Sequence, residues 1–119
     1  MPTELSAEEI DKLKRSFKRC DEATIDAILS FRKTGDPSLV SVITRGIIAR
    51  YLRSETRDFF ASAAPETPLI TLGVDSLTML EIVLDVQEAL DISVEDSELK
   101  QLRTVGEVNE LLAEKIAQR

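Results

Sequence analysis

The chain is 119 residues long, 43% apolar, 31% charged and only 4% aromatic, with a formal net charge of −7, one cysteine and no histidine. A chain of this length buries roughly two-thirds of its unfolded surface and holds a single core without metal or disulfide staples. The acidic balance sets nucleic acid and anionic membranes aside as partners, lone Cys20 rules out an internal disulfide and points to a reducing cytoplasm, and the missing histidine rules out a Ser-His-Asp site.

The opening MPTELSAEE has no basic stretch followed by an apolar run, so no secretory signal is expected. LSAEEIDKLKRSFKR then reads as a helix. Ser6 and Glu9 stand at capping-box spacing, and Ile10, Leu13 and Phe17 recur at helical spacing. DEATIDAILSFRKTG reads as a second helix, with Ile25, Ile28, Leu29 and Phe31 turned inward. Arg32 and Lys33 suit its last turn, and Gly35 is a stop. Around Cys20-Asp21 no strong breaker appears, so the two segments are either a helical hairpin or one bent helix.

Asp36-Pro37 opens the next helix: an acidic cap precedes a proline whose missing N–H costs nothing there. Its apolar face, through Val40, Ile43, Ile47, Ile48, Tyr51 and Leu52, carries the helix to about Ser54 or beyond. Arg45 and Arg50 interrupt this most apolar stretch, which is too short to span a bilayer. ASAAPETPLITLG follows as a long irregular segment, because Pro65 and Pro68 exclude a helix and Gly73 delays the next one. That next helix runs from Asp75-Ser76 to about Leu90. A short helix is expected within residues 95–101. A final helix follows, opened by the Thr104 and Glu107 capping box and marked by Val105, Val108, Leu111, Leu112 and Ile116. No segment alternates long enough for a strand. The expected fold class is all-α, with a sub-boundary at Gly35-Asp36.

On a wheel of roughly 100° per residue, Met79, Ile82, Val83, Val86, Ala89 and Leu90 share one arc and face the core. Glu81, Asp85 and Glu88 share another. Leu77, Leu80 and Leu84 form a second apolar stripe beside these acids. That mixed outer surface suits a basic, partly apolar partner, and it is equally a solvated face whose leucines pack under the preceding loop.

Ser76 stands at the head of this helix. A serine nucleophile needs a base, and neither a histidine nor a nearby lysine supplies one. No catalytic residue and no metal-ligand cluster is therefore expected. Read from the residues alone, Ser76 is either an ordinary helix-start residue or a place for an attached phosphate. The free N–H groups and positive end of a helix N-terminus favour an anion. The adjacent Asp75 works against one, so the dipole is not the whole account.

LGVDSL, residues 72–77, with the acidic, leucine-bearing helix after it, resembles the attachment motif of acyl carrier proteins. Asp75, Ser76 and Leu77 match the motif, and Leu72-Gly73 matches its preceding turn. The resemblance covers about residues 36–119 and implies a four-helix bundle with a short third helix. Residues 1–35 lie outside it as an added N-terminal helical hairpin, for packing on the core or for docking a dedicated partner. It implies that Ser76 carries 4′-phosphopantetheine, attached by a phosphopantetheinyl transferase, and that acyl groups ride on it as thioesters in fatty-acid or polyketide-type synthesis. Acyl-processing enzymes with basic patches would dock on Glu81, Asp85, Glu88 and Leu80. Ile47, Leu72, Met79, Val83, Val86, Leu99 and Leu102 are the candidates to line an acyl cleft; the other reading is that they fill a closed core. The chain is expected to be a monomer, not an enzyme, without membrane insertion. An aminoacyl or peptidyl carrier, or a helical interaction module with no prosthetic group, are the alternatives. Thr71 and Thr78 stand where many carriers place acids, which implies an altered set of partners.

Overall fold

The computed structural model describes residues 5–118; the first four residues, part of the stretch read for a signal, and the last lie outside it. Helix α1 spans Ala7–Ser16 and α2 spans Glu22–Thr34. They are two helices, because Asp21 caps α2 by accepting the Thr24 N–H at 2.9 Å and so fixes a fresh start. The capping box at the head of α1 is formed, with Ser6 Oγ accepting from the Glu9 N–H at 3.1 Å. Gly35 ends α2 at φ 71°. A left-handed stop of this kind is nearly free for glycine.

Asp36-Pro37 opens a turn of 3-10 helix, Pro37–Leu39, which runs into α3, Val40–Ala49. Helix α3 is shorter than its apolar face suggests. Tyr51 and Leu52 donate to the carbonyls of Ile48 and Ala49, tightening the end into 3-10 bonds, and the chain turns. A separate helix α4, Ser54–Ala61, follows and buries Phe60. Arg57 Nε donates to the Leu52 carbonyl at 3.2 Å across that turn. A second 3-10 turn, Leu69–Leu72, sits in the segment expected to be irregular. Pro68 is its cap in extended backbone, a position that needs no N–H. Then come α5, Ser76–Leu90, the short α6, Asp96–Leu99, and α7, Val105–Ala117. The Thr104–Glu107 box closes the head of α7.

The architecture is all-α: a four-helix carrier-type bundle (α3, α5, short α6, α7) with an N-terminal helical hairpin and the additional α4. One core joins them. Helix α3 packs on α2, α5 and α7, and α2 also packs on α5. Leu13, Phe17, Ile28 and Phe31 of the hairpin are buried in the same cluster as Ile43, Ile82, Leu90 and Val108; Ile10 and Ile25 are half-buried. All six residues assigned to the inner arc of α5 are buried. Helices α2 and α3 meet closely at Gly46, where an added Cβ would lie 2.0 Å from Thr24 Oγ1.

The long loop before α5 is pinned to the head of α7. Leu69 N–H donates to the Arg103 carbonyl at 2.9 Å, Gly106 N–H to Pro65 at 2.8 Å and Val105 N–H to Thr67 at 3.3 Å. These bonds hold the start of α5 beside α6 and the α6–α7 loop, and a cleft opens between them.

Candidate functional site

The head of α5 is built by three residues of different duty. Gly73 takes φ +85° and closes the 3-10 turn, its N–H donating to the Ile70 carbonyl. Val74 is buried and anchors the turn to the core. Asp75 is the N-cap of α5, its Oδ1 accepting the Thr78 N–H at 2.8 Å. That hydrogen bond holds the Asp75 carboxyl below the usual aspartate range, so it is ionised at neutral pH.

Ser76 is then the first residue of α5. It is exposed, and its hydroxyl makes no hydrogen bond among the described residues. It lies on the lip of a cleft of about 500 Å³. Leu69, Val74, Met79, Leu99 and Leu102 give this cleft an apolar lining, and Asp75, Lys100 and Arg103 add charge. Of the residues expected in such a cleft, Met79, Leu99 and Leu102 line it. Ile47, Leu72, Val83 and Val86 are buried in the core and do not line it. Lys100 and Arg103 escaped the sequence reading, since their approach to Ser76 depends on the tertiary bonds around α7. The one available signal was the clustering of two cations beside Leu99 and Leu102 in an acidic chain.

The outer face of α5 is more apolar than its sequence suggests. Leu77 is 66%, Leu80 40% and Leu84 54% exposed, and Ile70 on the preceding turn is 78% exposed. Glu81 and Glu88 are exposed, but Asp85 is half-buried and engaged inward. It accepts a hydrogen bond from the Tyr51 hydroxyl and pairs with Arg50 at 3.4 Å. Burial first, and then that bond to Asp85, push the Tyr51 phenol well above its ordinary range. Arg50 also lies 4.9 Å from the centre of the Tyr51 ring and donates to the Ser16 carbonyl at the end of α1. Arg32 of α2 donates to the Glu88 carbonyl at 2.9 Å. The hairpin thus touches α5 directly at the Glu88 backbone and reaches Asp85 only through Arg50 at the end of α3, and neither Arg50 nor Tyr51 was marked by sequence as more than helix face. Thr71, in place of an acid, folds back on the Pro68 carbonyl at 2.6 Å.

Buried Cys20 does not line the cleft; its thiol is pushed up by burial, against the lowering effect of neighbouring Arg50. Among the described residues no group of three or more His, Cys, Asp or Glu is placed to hold a metal, and no helix is long and apolar enough to cross a membrane.

Residues 44–112 match the family model described as "Phosphopantetheine attachment site". The chain belongs to that family. The match runs from α3 to α7 and contains Ser76, and it leaves the hairpin outside. Family relatives named acyl carrier protein include one from an Exiguobacterium species, 46% identical over 31% of this chain and 47% of the relative. Another, from Desulforapulum autotrophicum, is 35% identical over 43% of this chain and 68% of the relative. A third, from a Picosynechococcus species, is 38% identical over 45% of this chain and 68% of the relative. The chain spans about half the length of the first of these relatives.

The group that this family carries is 4′-phosphopantetheine, covalently attached. The residues at the head of α5 fit it. The Ser76 hydroxyl is accessible and unengaged, the N-terminus of α5 faces it, and the neighbouring cleft offers an apolar lining with cations beside it.

Proposed function

We propose that this chain is an acyl carrier, with Ser76 as the residue that takes the 4′-phosphopantetheine arm from a phosphopantetheinyl transferase. The observation that carries the reading is the exposed, unbonded Ser76 hydroxyl at the lip of the cleft. When attached, the arm supplies a thiol on which cargo is held as a thioester. The chain's own residues present the attachment point and shelter cargo, and they do no chemistry. Asp75 holds the head of α5 in shape by capping it. Leu69, Val74, Met79, Leu99 and Leu102 offer an acyl chain an apolar surface. Leu77, Leu80, Glu81 and Leu84 present a face on which acyl-processing enzymes dock, with exposed Glu88 at its far end. We further infer that residues 36–119 are the carrier core and residues 1–35 an added segment whose apolar side completes that core, in a cytoplasmic, monomeric protein.

The apolar cleft favours fatty-acid or polyketide-type cargo. A second reading is an aminoacyl or peptidyl carrier. It is favoured by the inward engagement of Asp85, which leaves a docking face richer in leucine than in acid. The cargo decides between them. Protein isolated from its own cells and treated with hydroxylamine should release a thioester-bound group, identified by mass spectrometry. An aliphatic or ketoacyl group supports the first reading and an amino acid the second. Absence of both a labile group and a phosphopantetheine mass on protein from growing cells contradicts both, and leaves a helical interaction module.

A further inference from the structure

Lys100 and Arg103 stand out in a chain of net charge −7, because both line the cleft onto which Ser76 opens. Neither pairs with a carboxylate side chain in an ion pair among the described residues, whereas Lys115 reaches Glu98 at 2.7 Å. Arg103 is held firmly. Its carbonyl accepts from Leu69 at 2.9 Å, its backbone N–H donates to the Glu107 carboxylate at 3.0 Å, and one guanidinium nitrogen donates to the Lys100 carbonyl at 2.7 Å and the Leu102 carbonyl at 3.4 Å. Its remaining side-chain donors have no partner among the described residues.

A phosphodiester on Ser76 would meet a conflict of charges. The start of α5 offers it roughly half an elementary positive charge. Asp75, ionised and next in sequence, sets a full negative charge against that. The helix end alone does not offset that charge, and the cations that line the same cleft are the exposed Lys100 and Arg103.

We propose that Lys100 and Arg103 form a seat for an oxyanion tethered through Ser76, namely the phosphodiester of the arm. Resting on the carrier reading above, this assigns the two cations a positioning role: they offset Asp75 and hold the root of the arm over the cleft. Charge-assisted hydrogen bonds from the free guanidinium donors and the lysine ammonium supply the hold. The same chemistry would also suit a carboxylate at the far end of a cargo group, so the test separates the two sources.

The full chain is converted with a broad-specificity transferase and coenzyme A, and conversion is read by intact mass. Phosphorus NMR of the modified protein and proton–nitrogen spectra before and after conversion then report on the seat. In the native chain, conversion should shift the amide signals of Lys100 and Arg103, and the phosphorus signal should sit away from its position in the urea-unfolded modified protein. In Lys100→Gln/Arg103→Gln the phosphorus signal should move back to the unfolded position. Lys100→Gln alone, which breaks no hydrogen bond in the fold, should move it part of the way and serves if the double variant fails to fold. Identical phosphorus signals in the native and variant proteins overturn the proposal. So do Lys100 and Arg103 signals that respond only when the arm carries a dicarboxylic half-thioester, which would assign the cations to cargo. No mass gain at all overturns the carrier reading itself and is seen before any spectrum is taken.

Discussion

Gly46 and Thr24 stand so close that a methyl group added at Gly46 would overlap the threonine side chain, with Oγ1 at 2.0 Å and Cγ2 at 2.5 Å. This contact seats the N-terminal hairpin on α3. Thr24 is buried and β-branched, and its hydroxyl is bonded to Asp21, so it has little room to yield. Alanine in a helix is favoured over glycine by about 1 kcal/mol, and overpacking typically costs about 1–3 kcal/mol. With an overlap this deep the second effect wins. Gly46→Ala should lower the thermal midpoint and raise hydrogen exchange in α2 above that in α7. Adding Thr24→Ala should recover part of the loss, because Cβ of residue 24 at 2.7 Å remains in the way. A midpoint unchanged or raised by Gly46→Ala contradicts this packing.

The Arg50–Asp85–Tyr51 cluster has a spectroscopic readout, because Tyr51 is the single tyrosine in the chain. Its phenol is raised above the usual 10.0 by burial first and by the bond to Asp85 second. A raised folded-state value contributes stability that is present below pH 10.0 and lost as pH rises further. Asp85→Asn keeps the shape and removes the negative charge. Tyrosine absorbance in this variant should titrate at lower pH than in the native chain, though still above the unfolded chain, since burial persists. Coincident titration curves for the variant and native proteins would falsify the arrangement.

Asp75 carries the opposite sign. Its folded-state value is depressed below 3.8 by the Thr78 N–H, so its contribution is present above that pH and lost as pH falls through the lowered value. Asp75→Ala should therefore lower the thermal midpoint at pH 7, and the gap to the native protein should narrow as pH is taken below 3.8. A gap that is constant across that range means the carboxylate does not cap α5.

These three sites differ in how far the sequence disclosed them. The capping boxes at Ser6 and Thr104 and the inner arc of α5 were legible because each depends on neighbours within a turn or two. The end of α3 was not. Apolar spacing continues through Tyr51 and Leu52, whereas the chain turns there with Arg50 reaching the sequence-distant Ser16 and Asp85 and Arg57 holding the Leu52 carbonyl across the turn. Helix α4 was missed for the same reason. The cleft was half legible, since periodicity tells that Val83, Val86 and Met79 face inward but not which of them meets a gap. Nor could spacing reveal that Arg50 and Tyr51 draw Asp85 away from solvent.

The leucine stripe yields a prediction about docking. Leu77 and Leu84 are exposed, so replacing them costs the fold little. Leu77→Ala and Leu84→Ala should leave the unfolding free energy within about 0.5 kcal/mol of the native value. They should still slow modification by the transferase severalfold, whereas Asp85→Asn should change it little, because that carboxylate is already engaged. Rates insensitive to both leucines and strongly reduced by Asp85→Asn would reverse the assignment of the docking face.

The central claim is that Ser76 is the point of attachment, and peptide-level mass spectrometry addresses it most directly. The full chain is incubated with coenzyme A and a broad-specificity phosphopantetheinyl transferase, digested, and fragmented so that the adduct is located by residue. The account predicts a phosphopantetheine adduct on the peptide containing Ser76, at that residue, and none on Ser76→Ala. An adduct on another serine, or a native chain that stays unmodified while a known carrier in the same tube is converted, contradicts it.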